Sequence, residues 1–279
     1  MLPTFLVIGA PKSGTTWMHR VLSSHPQIYV PQRRKEIHYF DRYYDRGISW
    51  YERQFNTMGD EEQYIAIGEV TPSYFSAELC AERIAKLKSI RRLILLLRHP
   101  VERLYSEFLY AQRINGYSDS FEKYYVEVER SIQRGMYGKH YARFNTLFPK
   151  SDICVLIYDD MFKNIKATLT KVAVFLNVPP EGFSRDVANL RVNAMPRPRR
   201  KKFYEMASMT HRWLVRHDVD RVSYYFKRAG IKKWFGISGD PIPSIGSQTA
   251  SKLQVLYLPD IERLEAVRGL DLSAWKTRY

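Results

Sequence analysis

The sequence predicts an α/β fold, a parallel sheet with helices on both faces, and three observations carry that prediction. Short apolar runs of strand length alternate with helical stretches through the first half of the chain. Those runs are nearly continuous in apolar residues, as in strands buried on both faces. A glycine turn joins the first run directly to the first helix, as in phosphate-loop architectures.

Thr4-Phe-Leu-Val-Ile8 is the first expected strand, and Thr16 to Ser24 the first helix, with Trp17, Val21 and Leu22 apolar and His25-Pro26 ending it. Tyr64-Ile-Ala-Ile-Gly-Glu69 reads as a second strand and Glu78 to Lys88 as an amphipathic helix. Arg92-Leu-Ile-Leu-Leu-Leu97 is the clearest strand. Pro100 follows where a helix begins, in the first turn, which needs no N–H from it. Ile153-Cys-Val-Leu-Ile-Tyr158 is a further strand and Ile165 to Leu176 a further helix. From about Asn189 to Pro243 this rhythm breaks. Arg191, Arg197, Arg199, Arg200, Lys201 and Lys202 follow one another there with no acidic residue between them, interrupted by Pro196 and Pro198. That stretch reads either as a solvated basic loop or as a flap over an anionic ligand. A helix over Ala250 to Val267 and then Trp275 come after it. With no repeat and no Gly/Ser linker, the expectation is one domain over 1–279. Its core spans about 4–176, and an irregular basic region with a C-terminal helix spans about 189–279.

The 279 residues are 45% apolar and 26% charged, which excludes disorder as the default state. A net charge of +15 points to an anionic partner (nucleotide, glycan, nucleic acid or membrane surface) or to a basic surface that keeps the protein in solution. Two cysteines, Cys80 and Cys154, form no disulfide framework, and no His/Cys cluster has zinc spacing, so no metal is expected. Reduced thiols fit a cytoplasmic compartment. The apolar stretch Phe5 to Ile8 is too short for a signal h-region, and no run nears the roughly 18 residues of a membrane span.

Three motifs carry chemistry. In Gly9-Ala-Pro-Lys-Ser-Gly-Thr-Thr16, backbone N–H groups and a helix N-terminus converge as a phosphate cradle. An ATP or GTP loop has lysine after its second glycine, whereas Thr15 stands there in this chain and Lys12 sits earlier, on the crest of the turn. Arg98 falls at the carboxyl end of a strand, where open α/β sheets bind ligands. Ser106 lies about two turns further on, on the helix face expected to carry Arg103 and Tyr110. Arg98 could instead be a surface arginine paired with Glu102 or Glu107. Lys35-Glu-Ile-His-Tyr-Phe-Asp41 offers Glu36 and His38 as proton acceptors turned to one side, or Glu36 as a surface partner of Lys35 or Arg34.

Pro11-Lys-Ser-Gly-Thr-Thr-Trp17 resembles the 5′-phosphosulfate loop of PAPS-dependent sulfotransferases. The resemblance implies that Lys12 contacts the transferring group while Pro11, Ser13, Gly14, Thr15 and Thr16 surround the 5′-phosphate. Trp17 resembles the tryptophan that packs on adenine, or is a core aromatic. Arg98 and Ser106, eight residues apart, match the pair that grips the 3′-phosphate. The segment from Lys35 to Asp41, with Gly47-Ile-Ser-Trp-Tyr51, resembles heparan sulfate N- and 3-O-sulfotransferases. That similarity makes Glu36 the catalytic base, with Lys35 or His38 tuning it. Gly68-Glu-Val-Thr-Pro-Ser-Tyr74 also matches, leaving Glu69 as a second carboxylate. Val70, however, replaces a lysine of the glycan 3-O-sulfotransferases, a departure that argues against heparan-type acceptor chemistry. The family's cysteine-bounded, lysine-rich C-terminal loop is absent too. The resemblance covers Phe5 to about Leu176, and Asp260 to Trp275 loosely.

It implies sulfuryl transfer from PAPS to a hydroxyl or amine of a small-molecule or glycan acceptor, releasing PAP, with no metal and no nucleic acid. Two other readings remain: a P-loop kinase or NTPase, and a non-catalytic polyanion binder suggested by the charge and by Arg197 to Lys202.

Overall fold

Alternate residues of the central strand face two different cores. In the computed structural model, Leu6 and Ile8 enter one apolar cluster with Leu93, Leu95 and Leu97, while Phe5 and Val7 enter a second with Ile94 and Leu96. This is the period-two signature of a sheet covered on both sides, and it explains the unbroken apolar runs. The structure describes residues 1–55, 63–114, 116–190 and 244–279, together with 197–198, 206, 209–210, 214 and 237–238.

The first half runs β1 (Phe5–Gly9), α1 (Thr15–Ser23), β2 (Ile28–Tyr29), α2 (Tyr39–Arg42), α3 (Ile48–Glu52), β3 (Ala66–Val70), α4 (Cys80–Lys86), β4 (Arg92–Leu97) and α5 (Pro100–Ile114). There follow α6 (Phe121–Glu127), α7 (Glu129–Gln133), α8 (Tyr137–Asn145), β5 (Ile153–Ile157), α9 (Tyr158–Lys163), α10 (Ile165–Leu176), α11 (Arg185–Asn189), α12 (Ser247–Arg268) and α13 (Ser273–Lys276). The sheet order is β2-β3-β1-β4-β5, every pairing parallel, with Phe5 opposite both Gly68 and Arg92. The expected α/β class therefore holds. The basic stretch Arg191 to Lys202 lies outside the described residues, apart from β6 (Arg197–Pro198), whose backbone pairs antiparallel with β7 (Ile237–Ser238).

Sequence and structure agree on β4 residue for residue, and α5 begins at Pro100 as expected. The helix expected from Glu78 to Lys88 is shorter, because Leu87 leaves helical dihedrals at φ −89°, ψ 94°. Helices α6, α7 and α8 are additions. The start of α8 is capped from far along the chain: Asp260 in α12 accepts from the Gly138 N–H at 2.7 Å and the Lys139 N–H at 2.9 Å. Gly138 is required for that contact, since a Cβ there would sit 2.5 Å from the Asp260 carbonyl oxygen and 2.9 Å from Leu264 N. Neither backbone atom can yield independently of its helix. Gly138→Ala should therefore cost about 1–3 kcal/mol of stability. Chemical denaturation should show that loss, while a neutral result would mean that α8 and α12 slide apart freely.

Candidate active site

β1 and β4 are neighbours, yet their helices go to opposite faces. α1 buries Trp17, Met18, Val21 and Leu22 in the cluster containing Val7, and α5 buries Val101, Leu104 and Phe108 in the cluster containing Ile8. Such a reversal leaves a crevice at the carboxyl ends of the strands. The loop after β1 and Arg98 after β4 flank it. The loop has a shape few sequences adopt: Lys12 and Gly14 both have positive φ, 68° and 90°. The φ of 90° at Gly14 is one that residues with a Cβ rarely adopt, and the Tyr158 ring lies against this position. Ser13 and Thr15 are buried. The N-terminus of α1 has no side-chain cap and no acidic residue in its first turn. Its orphan N–H groups and dipole thus stay available to an anion.

Lys12 is the cation of the crest. Its Nζ sits 4.3 Å above the Tyr110 ring, a cation–π contact from α5. Burial is the main cause of its lowered basicity; Arg98, Lys35 and Arg103 add repulsion, Glu107 opposes them, and the group is brought down to about 8.

Arg98 donates through Nε to Glu102 at 3.1 Å and lies 4.8 Å over the Tyr158 ring. The pairing with Glu102 thus exists, but it engages only one edge of the guanidinium. Ser106 is partly exposed one turn beyond Glu102. Arg103, expected to share its face, is instead fully buried on Glu107 at 2.6 Å and on the Ser131 carbonyl, where it ties α5 to α7. Trp17 is 1% exposed, its indole N–H donates to the Ala188 carbonyl at 2.8 Å, and Phe162 packs edge-on to it. Trp17 is packed as a core aromatic here. Its indole bond joins α1 to α11.

Glu36 lies across the loop. Lys35 Nζ is 3.1 Å from Glu36 Oε1 and 3.1 Å from Thr16 Oγ1. His38 Nε2 lies 3.5 Å from the other Glu36 oxygen, so the two side chains do turn to one side. His38 Nδ1 is 3.0 Å from Asp41, which also accepts from Ser73 at 2.7 Å. Burial lowers the basicity of His38, but its hydrogen bonds to Asp41 and Glu36 outweigh that and raise it to about 9. Burial likewise pushes the Glu36 carboxyl up, and His38 with Lys35 outweighs it, holding the group at about 2. At neutral pH the cluster is a carboxylate clamped between two cations.

The residues of the Sulfotransferase domain family model match this chain over 2–258. The chain belongs to that family. It is 45% identical over 107 residues to the membrane-associated sulfotransferase kil1 of Dictyostelium discoideum, covering 38% of this chain and 22% of that protein. It is 30% identical over 193 residues to human heparan sulfate glucosamine 3-O-sulfotransferase 5, covering 64% and 54% respectively. The chain therefore spans about half or less of the length of these curated relatives. The crystal structure of a sulfotransferase from Alicyclobacillus acidocaldarius superposes with a TM-score of 0.70 at 20% identity, covering 99% of both chains, which shows a shared fold.

Within this sulfotransferase-family site, two groups escaped the sequence reading. Asp41 orients His38, and Tyr158 packs against both Gly14 and Arg98. Asp41 was visible as the third residue after His38; Tyr158 is distant in sequence and carries no local signal. Glu69, expected as a second carboxylate near the reaction, is fully buried beneath the Glu36 loop. Val70 is buried in the cluster with Val7.

A lysine that titrates at about 8 should make anion binding depend on pH. PAP affinity measured by calorimetry should weaken as pH rises through about 8, and Lys12→Arg should abolish that decline because guanidinium stays charged. A flat profile in the unsubstituted protein would place Lys12 away from the ligand.

Proposed function

We propose that this chain is a sulfotransferase that moves a sulfuryl group from PAPS to a hydroxyl or amine of a glycan acceptor, releasing PAP. One observation carries the reading: Lys35 joins Thr16 of the phosphate loop to Glu36, which sets a proton acceptor beside the anion cradle. The residues present fit the donor. The uncapped α1 N-terminus, the buried hydroxyls of Ser13 and Thr15 and the left-handed Gly14 suit a 5′-phosphate. Arg98 and Ser106 suit the 3′-phosphate, and arginine offers paired donors to phosphate oxygens.

When bound, PAPS supplies a sulfuryl group already activated on phosphate. Lys12 holds the negative charge that develops at the bridging oxygen, together with the α1 N-terminus and the Thr15 and Thr16 hydroxyls. Glu36 takes the acceptor proton, while His38, fixed by Asp41, orients that carboxylate. A sulfuryl group carries one charge fewer than a phosphoryl group, so a single lysine meets the demand that ATP chemistry divides between lysine and Mg²⁺. A glycan acceptor is supported by a relative named for heparan sulfate. A cytoplasmic, reducing location belongs to the same proposal, supported by Cys80 and Cys154 as buried free thiols.

Glu36→Gln should lower turnover of labelled PAPS on a glycosaminoglycan panel by roughly 10²–10⁴ while PAP affinity survives. Near-normal turnover would remove Glu36 from the role of base. Thermal shift separates the donor classes, because a ligand at about 100 times its dissociation constant adds about 2.7 kcal/mol. PAP should raise the melting temperature and Mg·ATP should not; stabilisation by Mg·ATP alone would favour a P-loop kinase.

A further inference from the structure

Glu102 is shared by two arginines. Arg98 donates to its Oε2 through Nε at 3.1 Å, and Arg278 pairs with its Oε1 through a terminal nitrogen. The other terminal nitrogen of Arg278 donates to Asp159 at 2.8 Å. Four charged groups from three parts of the chain thus form one cluster: two guanidinium cations and two carboxylates, neutral as a set. The segment that carries Arg278 is anchored from beneath. His99, buried next to Arg98, bonds the Trp275 carbonyl at 3.1 Å and meets the Trp275 and Tyr279 rings edge-on at 5.8 Å and 5.4 Å.

Glu102 has two opposite effects on Arg98. By holding Nε it fixes the plane of the guanidinium and leaves the terminal nitrogens, which make no hydrogen bond among the described residues, to grip a ligand. Its own charge, however, repels a phosphate gripped there. Asp159, one residue from the Tyr158 ring under Arg98, adds to that repulsion. Without Arg278 the cluster would carry a net negative charge beside a doubly negative ligand. With it, Glu102 can orient Arg98 and remain neutralised.

We propose that Arg278 is a positioning residue for the donor's 3′-phosphate, acting through Glu102 on Arg98. This rests on the reading of Arg98 as the 3′-phosphate anchor. Calorimetry of the full chain with PAP and with AMP, which lacks that phosphate, tests both. Arg278→Ala should weaken PAP binding about tenfold and leave AMP binding within about twofold, the size of one lost charge-assisted contact. Arg278→Lys should restore most of the loss, and Asp159→Asn should tighten PAP alone. In a Glu102→Gln background, Arg278→Ala should cost PAP less than about twofold, since no carboxylate remains to neutralise. Equal losses for PAP and AMP, or no loss at all, would overturn the proposal by reducing Arg278 to a structural contact or a bystander. Arg98→Ala separates the two failures. If it erases the preference for PAP while Arg278→Ala does not, only the role of Arg278 is wrong. If it leaves the preference intact, the 3′-phosphate reading falls and this proposal falls with it.

Discussion

The edge of the sheet beside the Glu36 loop depends on a carboxyl group that never meets water. Glu69, at the end of β3, accepts from Tyr51 at 2.7 Å, Tyr74 at 2.8 Å and Thr71 at 2.6 Å, and the Ile37 N–H points at it from 3.4 Å. Burial pushes its ionisation upward, and these hydroxyl donors oppose that push. Left unpaired, such a group would be too costly to keep, so the three hydroxyls are as necessary as the carboxyl. The consequence lies one layer out. Thr71, itself bound to Glu69, accepts from Ile37 N at 3.1 Å, and the Tyr74 hydroxyl, also bound to Glu69, accepts from Tyr39 N at 2.8 Å. The backbone on either side of His38 is thereby fixed. His38 takes a left-handed conformation, φ 59°, which a non-glycine residue holds only when its surroundings over-determine it.

That rigidity gives the Glu36 cluster its chemical character. A carboxylate held at about 2 is a weak proton acceptor at neutral pH, because basicity and proton affinity fall together. Lys35 contributes to the depression, and it is shared with Thr16 of the phosphate loop. One side chain therefore links the phosphate loop to Glu36. His38, charged and tied to Asp41, holds the carboxylate in place meanwhile.

Local signals made part of this legible in the sequence. β4 is a run of leucine and isoleucine bounded by charge and proline, and the loop from Gly9 to Thr16 has its glycines and lysine within eight residues, so both could be read from neighbours alone. Failures came where a distant partner decides. Arg103 follows the spacing of Ser106 but is drawn inward by the Ser131 carbonyl on α7. Trp17 looked as available to a base as to the core until Ala188, far along the chain, took its N–H. Asp260 caps a helix more than a hundred residues earlier, and no spacing rule reaches that far.

The net charge of +15, read as a bulk property, selects no partner. Its local distribution is more informative. Lys12 sits among Arg98, Arg103 and Lys35, with Glu107 the carboxylate that opposes their effect, and their mutual repulsion adds to burial in lowering its basicity. Such a cluster stores unfavourable energy in the ligand-free protein. An anion bound among these cations relieves that repulsion and helps to keep Lys12 cationic, the form that already prevails at neutral pH for a group brought down to about 8. A singly charged anion relieves less of it. Four cations thus gather between the carboxyl ends of β1 and β4, and charge there is concentrated far beyond what the bulk figure conveys.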